Sequence, residues 1–300
     1  MTGVWRVRIA LLACAIYFGG SLPAYKMAGE TLGPSTTNAV RFLIAVAILV
    51  VIARRALDQA SGRWRRLLTL GGWGIGLMAV FIGLGVDVGS ASVASLVVGL
   101  EPIGVAIGGL VIARSMPSRM LVTALCLGLL GTAIAAGFFT LPLGDVKIVS
   151  IAILLGMVTL FSLYTMSIRS QSRDIDPLVL ATVTQIGALI VVLVVALSDL
   201  GGRGMIRGPL TPSAAVGIVW LGVGSAIAYL LLCRALAGTS SDLVALSLYL
   251  IPVIGVLLSW LLADEQLSAR HAVGAATILL AIWIGEGLPG MPTQRQAEEH

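Results

Sequence analysis

Charged residues are scarce in this chain, and their scarcity argues against a soluble domain. Only 11% of the 300 residues are Asp, Glu, Lys or Arg, against about 25% in soluble domains. Hydrophobic residues make up 58% of the chain, and the mean hydropathy is +1.04. Since a bilayer-spanning helix needs roughly 20 mostly apolar residues, the sequence predicts an all-α integral membrane protein with short loops.

Residues that perform catalysis or hold metals are also few. The two histidines are His271 and His300, and the three cysteines lie inside apolar runs, where we expect them to pack as small side chains. The sequence contains no HExxH zinc motif and no P-loop or other nucleotide-binding signature. We therefore expect neither an enzyme nor an ATP-driven pump, and no cofactor or metal.

The distribution of basic residues predicts a membrane topology. The net charge of +5 is spread over many loops, which argues against a nucleic-acid partner. With the N-terminus inside, the inner segments carry thirteen Lys and Arg residues and the outer ones five, so both termini are predicted to be cytoplasmic. The polar residues 288–300 predict a disordered cytoplasmic tail. Ten apolar runs predict helices near residues 7–27, 35–53, 67–86, 90–113, 118–138, 147–168, 177–198, 213–233, 239–262 and 269–287.

The two halves of the chain are weakly similar. A shift of 150 residues aligns GSASVASLVVGLEPIGVAIGGLVIARSMPS with TSSDLVALSLYLIPVIGVLLSWLLADEQLS and pairs Pro102 with Pro252. A shift of 143 pairs Gly33-Pro34 with Asp176-Pro177. Because five helices cross the membrane an odd number of times, the second copy is predicted to be inverted, as in alternating-access transporters.

The predicted units are a first repeat at residues 1–140 and a second, inverted repeat at residues 141–287. Arg6 and Arg8 before an apolar run also resemble a signal peptide. Its removal would leave nine helices and an incomplete first repeat, so we expect this segment to be the first spanning helix.

Three segments resemble the EamA family of the drug/metabolite transporter superfamily: YFGGSLPAYKMAGETLGPSTTNAVRFLIAVAIL, LEPIGVAIGGLVIARSMPS and ALAGTSSDLVALSLYLIPVIGVLLSWLLADEQLS. The resemblance implies ten helices in two inverted five-helix repeats, and export of amino acids or other small metabolites. The fourth helix departs from the family, ending in Arg114-Ser115 where a Gly-Glu pair is frequent. The second half has Asp264-Glu265 at the matching place.

Glu101 is a single carboxylate in the apolar fourth helix, directly before Pro102. It lies about 16 Å into that helix at 1.5 Å per residue, close to the bilayer centre, and it shares a helical face with Gly104 and Gly108. We expect Glu101 to point inward, either as a proton or substrate site or as a structural carboxyl. Pro102 and Pro252 predict kinks, which either shape the packing or act as hinges.

Arg41 enters the membrane from the same outer side as Glu101, about 9 Å deep. Two interpretations stay open: an ion pair or water-bridged contact with Glu101, or a side chain that snorkels toward the outer head groups.

Hydroxyl and aromatic side chains inside the predicted helices form a second candidate set. Tyr17 with Ser21 and Ser225 with Tyr229 are spaced four residues apart, so each pair shows one helical face. Each residue either lines a substrate cavity or bonds neighbouring helices. Further members of the set are Trp73, Ser162, Tyr164, Thr184, Gln185, Ser247 and Tyr249.

The sequence thus predicts a secondary transporter in a bacterial inner membrane. It would export a small metabolite by alternating access, and Glu101 raises the hypothesis of proton coupling. The open alternatives are a flippase for lipids or lipid-linked sugars, and a membrane structural subunit that transports nothing. The absence of a filter loop makes a channel a poorer fit.

Overall fold

Helices account for nearly all of the part of the chain that the structure describes. The computed structural model describes residues 3–88, 96–113, 118–140, 147–172, 174–198, 206–239, 241–263 and 268–286. Within these ranges the β structure is limited to one isolated bridge, between Leu32 and Ile206, so the all-α prediction is confirmed. The predicted disordered tail, Arg114-Ser115 and Asp264-Glu265 lie outside the described residues.

The described ranges contain twelve α-helices and three other helical segments. A π-helix at Gly72–Leu77 joins α3 to α4, and short 3₁₀ helices lie at Leu57–Ala60 and Phe138–Thr140. The α-helices are α1 (Gly3–Gly29), α2 (Pro34–Ala53), α3 (Trp64–Gly71), α4 (Met78–Val88), α5 (Glu101–Ala113), α6 (Arg119–Ala135), α7 (Ile148–Gln171), α8 (Pro177–Ser198), α9 (Pro212–Gly238), α10 (Ser241–Leu248), α11 (Leu250–Ala263) and α12 (Ala269–Glu286).

Many of these helices are long and apolar enough to cross a membrane. Six described helical segments meet that condition: Trp5–Gly29, Pro34–Ala53, Trp64–Gly85, Ile148–Gln171, Pro177–Ser198 and Pro212–Gly238. Four shorter apolar segments accompany them: Leu96–Gly109, Arg119–Ala135, Leu243–Leu258 and Ala269–Gly285. Large apolar side chains such as Val194 and Trp283 are exposed on their outer faces, as a lipid environment requires.

The helix starts follow from local sequence. Pro34, Pro177 and Pro212 each occupy the first helical residue, where an amide proton has no partner in the helix. Ser118 caps α6 by accepting a hydrogen bond from the Leu121 amide at 3.1 Å, and Thr211 caps α9 in the same way.

Two apolar runs are interrupted just ahead of a proline. Residues 96–98 are helical, a turn follows, and α5 begins at Glu101, directly before Pro102. In the second half a turn at Tyr249 separates α10 from α11, three residues before Pro252. Both interruptions fall where the missing proline donor leaves the helix without a hydrogen bond. The predicted fourth and ninth helices are therefore each divided, while a hinge role for the prolines stays a prediction.

The helices of the two halves pack in matching pairs. α1 packs against α9 and α11, and in the same way α7 packs against α4 and α5. The contact between α2 and α9 is matched by the contact between α8 and α3. α2 also packs against its own equivalent, α8, and α6 packs against its own equivalent, α12. These contacts therefore have counterparts when the two halves are exchanged.

Hydrogen bonds connect the loop after α1 with the segment before α9. The Arg207 amide donates to the Thr31 carbonyl at 2.7 Å, and the Thr31 hydroxyl donates to the Pro209 carbonyl at 3.0 Å. The Glu30 carboxylate accepts hydrogen bonds from the hydroxyls of Thr211 and Ser213. We call these contacts the Glu30 tie. The Ser213 and Thr211 hydroxyls lower the pKa of Glu30 below its ordinary value, because their hydrogen bonds favour the charged carboxylate.

A second, smaller contact connects the loop before α3 with the loop before α8. Arg63 and Asp174 form an ion pair at 3.3 Å, with both side chains largely exposed. Because solvent screens such a pair, it contributes little to stability.

Candidate functional site

Arg41 is buried among polar side chains from three helices. It lies seven residues into α2 and is 6% exposed. Its Nε donates to the Ser225 hydroxyl on α9 at 2.6 Å, and its Nη1 donates to the Tyr25 hydroxyl on α1 at 2.5 Å. Arg41 therefore binds across the two halves of the chain and does not snorkel outward. The other interpretation, an ion pair with Glu101, has no support among the described residues.

The hydroxyls around Arg41 continue into a hydrogen-bond network. The Tyr17 and Ser225 hydroxyls lie 2.5 Å apart, and the Tyr25 hydroxyl donates to Asn38 Oδ1 at 2.5 Å. The Asn38 amide in turn contacts the carbonyl of Ala79 on α4 at 3.5 Å. We call Arg41, Tyr17, Tyr25, Asn38 and Ser225 the Arg41 cluster.

Aromatic rings surround the guanidinium group. Its central carbon lies 4.8 Å from the centre of the Phe42 ring, 5.7 Å from that of Tyr25 and 5.8 Å from that of Tyr17. Cation–π attraction to these rings offsets part of the cost of removing the charge from water.

Two buried polar atoms beside the Arg41 cluster lack hydrogen-bond partners among the described residues. Gln185 on α8 donates through Nε2 to the Ser225 carbonyl at 3.0 Å, but its Oε1 accepts no hydrogen bond. The Tyr229 hydroxyl, one turn after Ser225 on α9, is likewise unpartnered, and both side chains are fully buried. Such groups are costly to bury unless a ligand or water satisfies them.

Tyr229 lies within electrostatic range of both Arg41 and Glu101. Its ring makes edge-to-face contacts with Phe18 at 5.7 Å and with Tyr164 at 6.2 Å between ring centres.

Glu101 occupies the first residue of α5, at the interruption described above. Its side chain is 9% exposed, in agreement with the expected inward orientation, and it makes no hydrogen bond or ion pair with the described residues. The sequence predicted that Glu101 lies within a continuous helix, but in the structure it lies at the start of one.

Ser162 on α7 faces the helix that carries Glu101. Its hydroxyl donates to the Val158 carbonyl at 2.8 Å, and a methyl group added at Gly104 would collide with that hydroxyl. The small residue at Gly104 thus permits α5 and α7 to approach closely, as expected from its place in the GxxxG pair.

Three further candidate residues, Tyr249, Trp73 and Ser21, also lie outside the Arg41 cluster. The Tyr249 hydroxyl donates to the Leu125 carbonyl at 2.8 Å, so its ring packs against α6. Trp73 is partly buried in the π-helix, in a shallow cleft beside Gly187. Ser21 donates to the carbonyl of Tyr17, on its own helix, at 2.8 Å.

Sequence reasoning did not single out Tyr25 and Asn38. Asn38 precedes Arg41 by three residues and therefore shares its helical face, a signal that was available in the sequence. Tyr25 follows Ser21 by four residues and Tyr17 by eight, so it shares the helical face of that pair.

An apolar groove runs along the outer surface between α1 and α9. Its volume is about 580 Å³, and its lining includes Ile16, Val219, Trp220 and Ile227, with Tyr17 as the member that belongs to the Arg41 cluster. The groove suits a hydrocarbon chain better than a polar solute.

Comparison with known proteins gives concordant results. The EamA-like transporter family matches the chain twice, at residues 5–137 and 148–284. An uncharacterized transporter from Archaeoglobus fulgidus is 25% identical over 286 residues, which cover 92% of this chain and 97% of that protein. A protein of known crystal structure has the same fold, with a TM-score of 0.78 and 18% identity over 94% of this chain and 96% of the other.

Proposed function

We propose that this chain, which belongs to the EamA-like transporter family, is a secondary transporter that exports an amino acid or a related small metabolite. Family membership and the apolar helices make it a multi-pass membrane transporter. The substrate class and the mechanism are our proposal. The observation that carries it is the buried Arg41 cluster, which joins α1 and α2 of the first half to α9 of the second.

The proposed mechanism is alternating access between two inverted five-helix repeats, at residues 1–140 and 141–287. The paired helix contacts and the double family match support the duplication. With six long and four shorter apolar segments, ten spanning helices would place both termini on the same side. The positive-inside rule favours the cytoplasm for that side, and we propose a bacterial inner membrane.

The polar residues have distinct proposed roles along the substrate path. Glu101 supplies a central carboxylate, which takes up a proton or contacts a substrate ammonium group. Tyr17 and Tyr229 line the path beside Arg41, and Ser162 lines it beside α5. Ser21, Trp73 and Tyr249 are proposed as further lining residues of the path.

Pro102 and Pro252 are proposed as hinges. Each lies just after an interruption in an apolar helix, and helix segments joined by a turn can reorient without breaking further backbone hydrogen bonds. The equivalent positions of the two prolines in the sequence suit a motion shared by both halves.

Purified protein in liposomes, challenged with the twenty L-amino acids with and without a pH gradient, tests the proposal. We expect flux of at least one amino acid, increased by the pH gradient. In Glu101→Gln the dependence on the gradient should disappear, because an amide cannot carry the proton. Unchanged flux and pH response in Glu101→Gln would show that Glu101 is not the coupling site. No flux of any amino acid would refute amino-acid export.

The groove between α1 and α9 favours a second candidate, a flippase for lipids or lipid-linked sugars. A lateral apolar groove that reaches Tyr17 would accommodate an acyl chain while a head group contacts the polar cluster. Fluorescent-lipid scrambling in the same liposomes, compared with empty liposomes, distinguishes this function from amino-acid export.

A further inference from the structure

The positive charge of Arg41 has no acidic counter-charge among the described residues. Its electrostatic partners are Tyr17, Tyr25 and Tyr229, and the described carboxylates lie beyond ion-pair distance. A buried cation in the bilayer interior is costly, and aromatic rings and two hydrogen bonds offset only part of that cost. An anion is the partner that this site lacks.

The guanidinium group also retains free donors. Of its five N–H groups, one on Nε and one on Nη1 are used by Ser225 and Tyr25. The second N–H of Nη1 and both of Nη2 donate to no described residue. Neighbouring guanidinium nitrogens match the two oxygens of a carboxylate.

Tyr229 offers a further donor in the same region. Its hydroxyl is buried without a partner, one turn along α9 from the Ser225 that holds Arg41, which corresponds to about 6 Å along the helix axis. The hydroxyl can donate to an anionic oxygen. Two independent observations, an unpaired cation and an orphaned hydroxyl, therefore point to the same kind of ligand.

We propose that Arg41 and Tyr229 bind the carboxylate group of the transported solute, so that the substrates are carboxylates and not neutral or purely cationic amines. This assignment rests on the proposed transport function and narrows its substrate class. Arg41 is 6% exposed, so the carboxylate reaches it in a more open state of the alternating-access cycle.

The test compares each L-amino acid with its carboxamide, in which an uncharged amide replaces the carboxylate. Thermal unfolding of the purified full-length protein in detergent reports binding, and liposome flux reports transport. For wild type we expect at least one amino acid to raise the Tm, and its carboxamide to bind about tenfold or more weakly. In Arg41→Gln this preference for the carboxylate should disappear, and Arg41→Lys should restore part of it.

Two further variants serve as controls. Tyr229→Phe removes only the unpartnered hydroxyl, so the Tm of the ligand-free protein should not fall, while binding of the carboxylate weakens. Arg55→Gln removes an exposed charge just after α2 and should leave the carboxylate preference intact. If Arg41→Gln does not fold, the wild-type comparison and Tyr229→Phe still decide the question.

The possible outcomes separate this inference from the transport function. Equal binding and flux of amino acids and their carboxamides would refute the carboxylate site while leaving transport intact. Stabilisation by carboxylates in wild type and not in Arg41→Gln, without any flux, would support the site and refute transport. If no amino acid raises the Tm, or if stabilisation persists in Arg41→Gln, the assignment of the site to Arg41 is wrong.

Discussion

The two interrupted helices share a backbone feature but differ in charge. The first, at residues 96–113, has Glu101 immediately before its proline, whereas the second, at 241–263, has Ile251 at the matching position. Glu101 is buried without a described partner. Gly255, on the second helix, approaches the backbone of Gly19 on α1. The interruption therefore fits a scaffold common to both halves, while the carboxylate belongs to one half only.

The equivalent helices α2 and α8 also differ in charge. Arg41 corresponds to Thr184 under the shift of 143 residues, and the Thr184 hydroxyl donates to the Leu180 carbonyl, on its own helix, at 2.7 Å. Among the side chains that the structure describes, the buried charged residues, Arg41 and Glu101, thus lie in the first half. The two halves therefore form a symmetric set of helix contacts, while the buried charged side chains are placed asymmetrically.

We expect the largest effect from a substitution at Gly19, where α1 contacts the backbone of the second interrupted helix. A methyl group added at Gly19 would lie 2.8 Å from both the Gly255 nitrogen and the Ile251 carbonyl oxygen. Because backbone atoms cannot rotate away, Gly19→Ala should lower the free energy of unfolding by about 1 to 3 kcal/mol. Denaturant titration of the purified protein measures this loss. Gly29→Ala on the same helix is the control, since nothing lies within 4 Å of its added methyl group; equal losses at both positions would contradict the prediction.

We expect the next largest effect from replacing Pro102 or Pro252, which should slow transport. Pro102→Ala and Pro252→Ala each restore an amide donor, which stiffens the interrupted helix. We expect each change to slow liposome flux by a similar factor, about tenfold, or about 1.4 kcal/mol. Pro34→Ala is the control, because a proline at the first helical residue removes no hydrogen bond. An effect of Pro102→Ala alone would assign the proline to the Glu101 site and not to a common hinge.

The loop contacts provide the smallest effect, and they also differ between the halves. The Glu30 tie contributes stability above the ordinary carboxyl pKa, and this stability is lost as the pH falls through the lowered pKa of folded Glu30. The Arg207 amide donates to Thr31, so its protection from hydrogen exchange, measured relative to the intrinsic rate at each pH, should fall on acidification through that range. In Glu30→Gln this protection should be low already at neutral pH and change less on acidification. Asp174→Asn, in the other loop contact, should leave the protection of the Arg207 amide unaffected; a loss of protection there would couple the two contacts.

The sequence alone was sufficient for the features that depend on local composition. Apolar runs predicted the helices, prolines predicted the sites of interruption, and the cost of a charge in lipid predicted that Glu101 is buried. Each of these depends on residues close together in the chain. The family resemblance, confirmed by the match to both halves, added the transport function.

The partners of Arg41 could not be predicted in this way. Ser225 is 184 residues away in the chain, and its position beside Arg41 depends on how α2 packs against α9. Depth along the membrane suggested Glu101 as the partner, but depth leaves the rotation of each helix undefined. The role of Tyr25 depends on the same three-dimensional packing.

The hydrogen bond from Arg41 to Ser225 gives the Arg41 cluster a thermodynamic consequence. It joins a helix of the first half to one of the second, and the same guanidinium group is the proposed ligand site. A carboxylate that draws Arg41 away from Ser225 exchanges a contact between the halves for a contact with the solute. Occupancy and the relative stability of the two access states are then linked, because a ligand shifts an equilibrium only by binding its two states unequally.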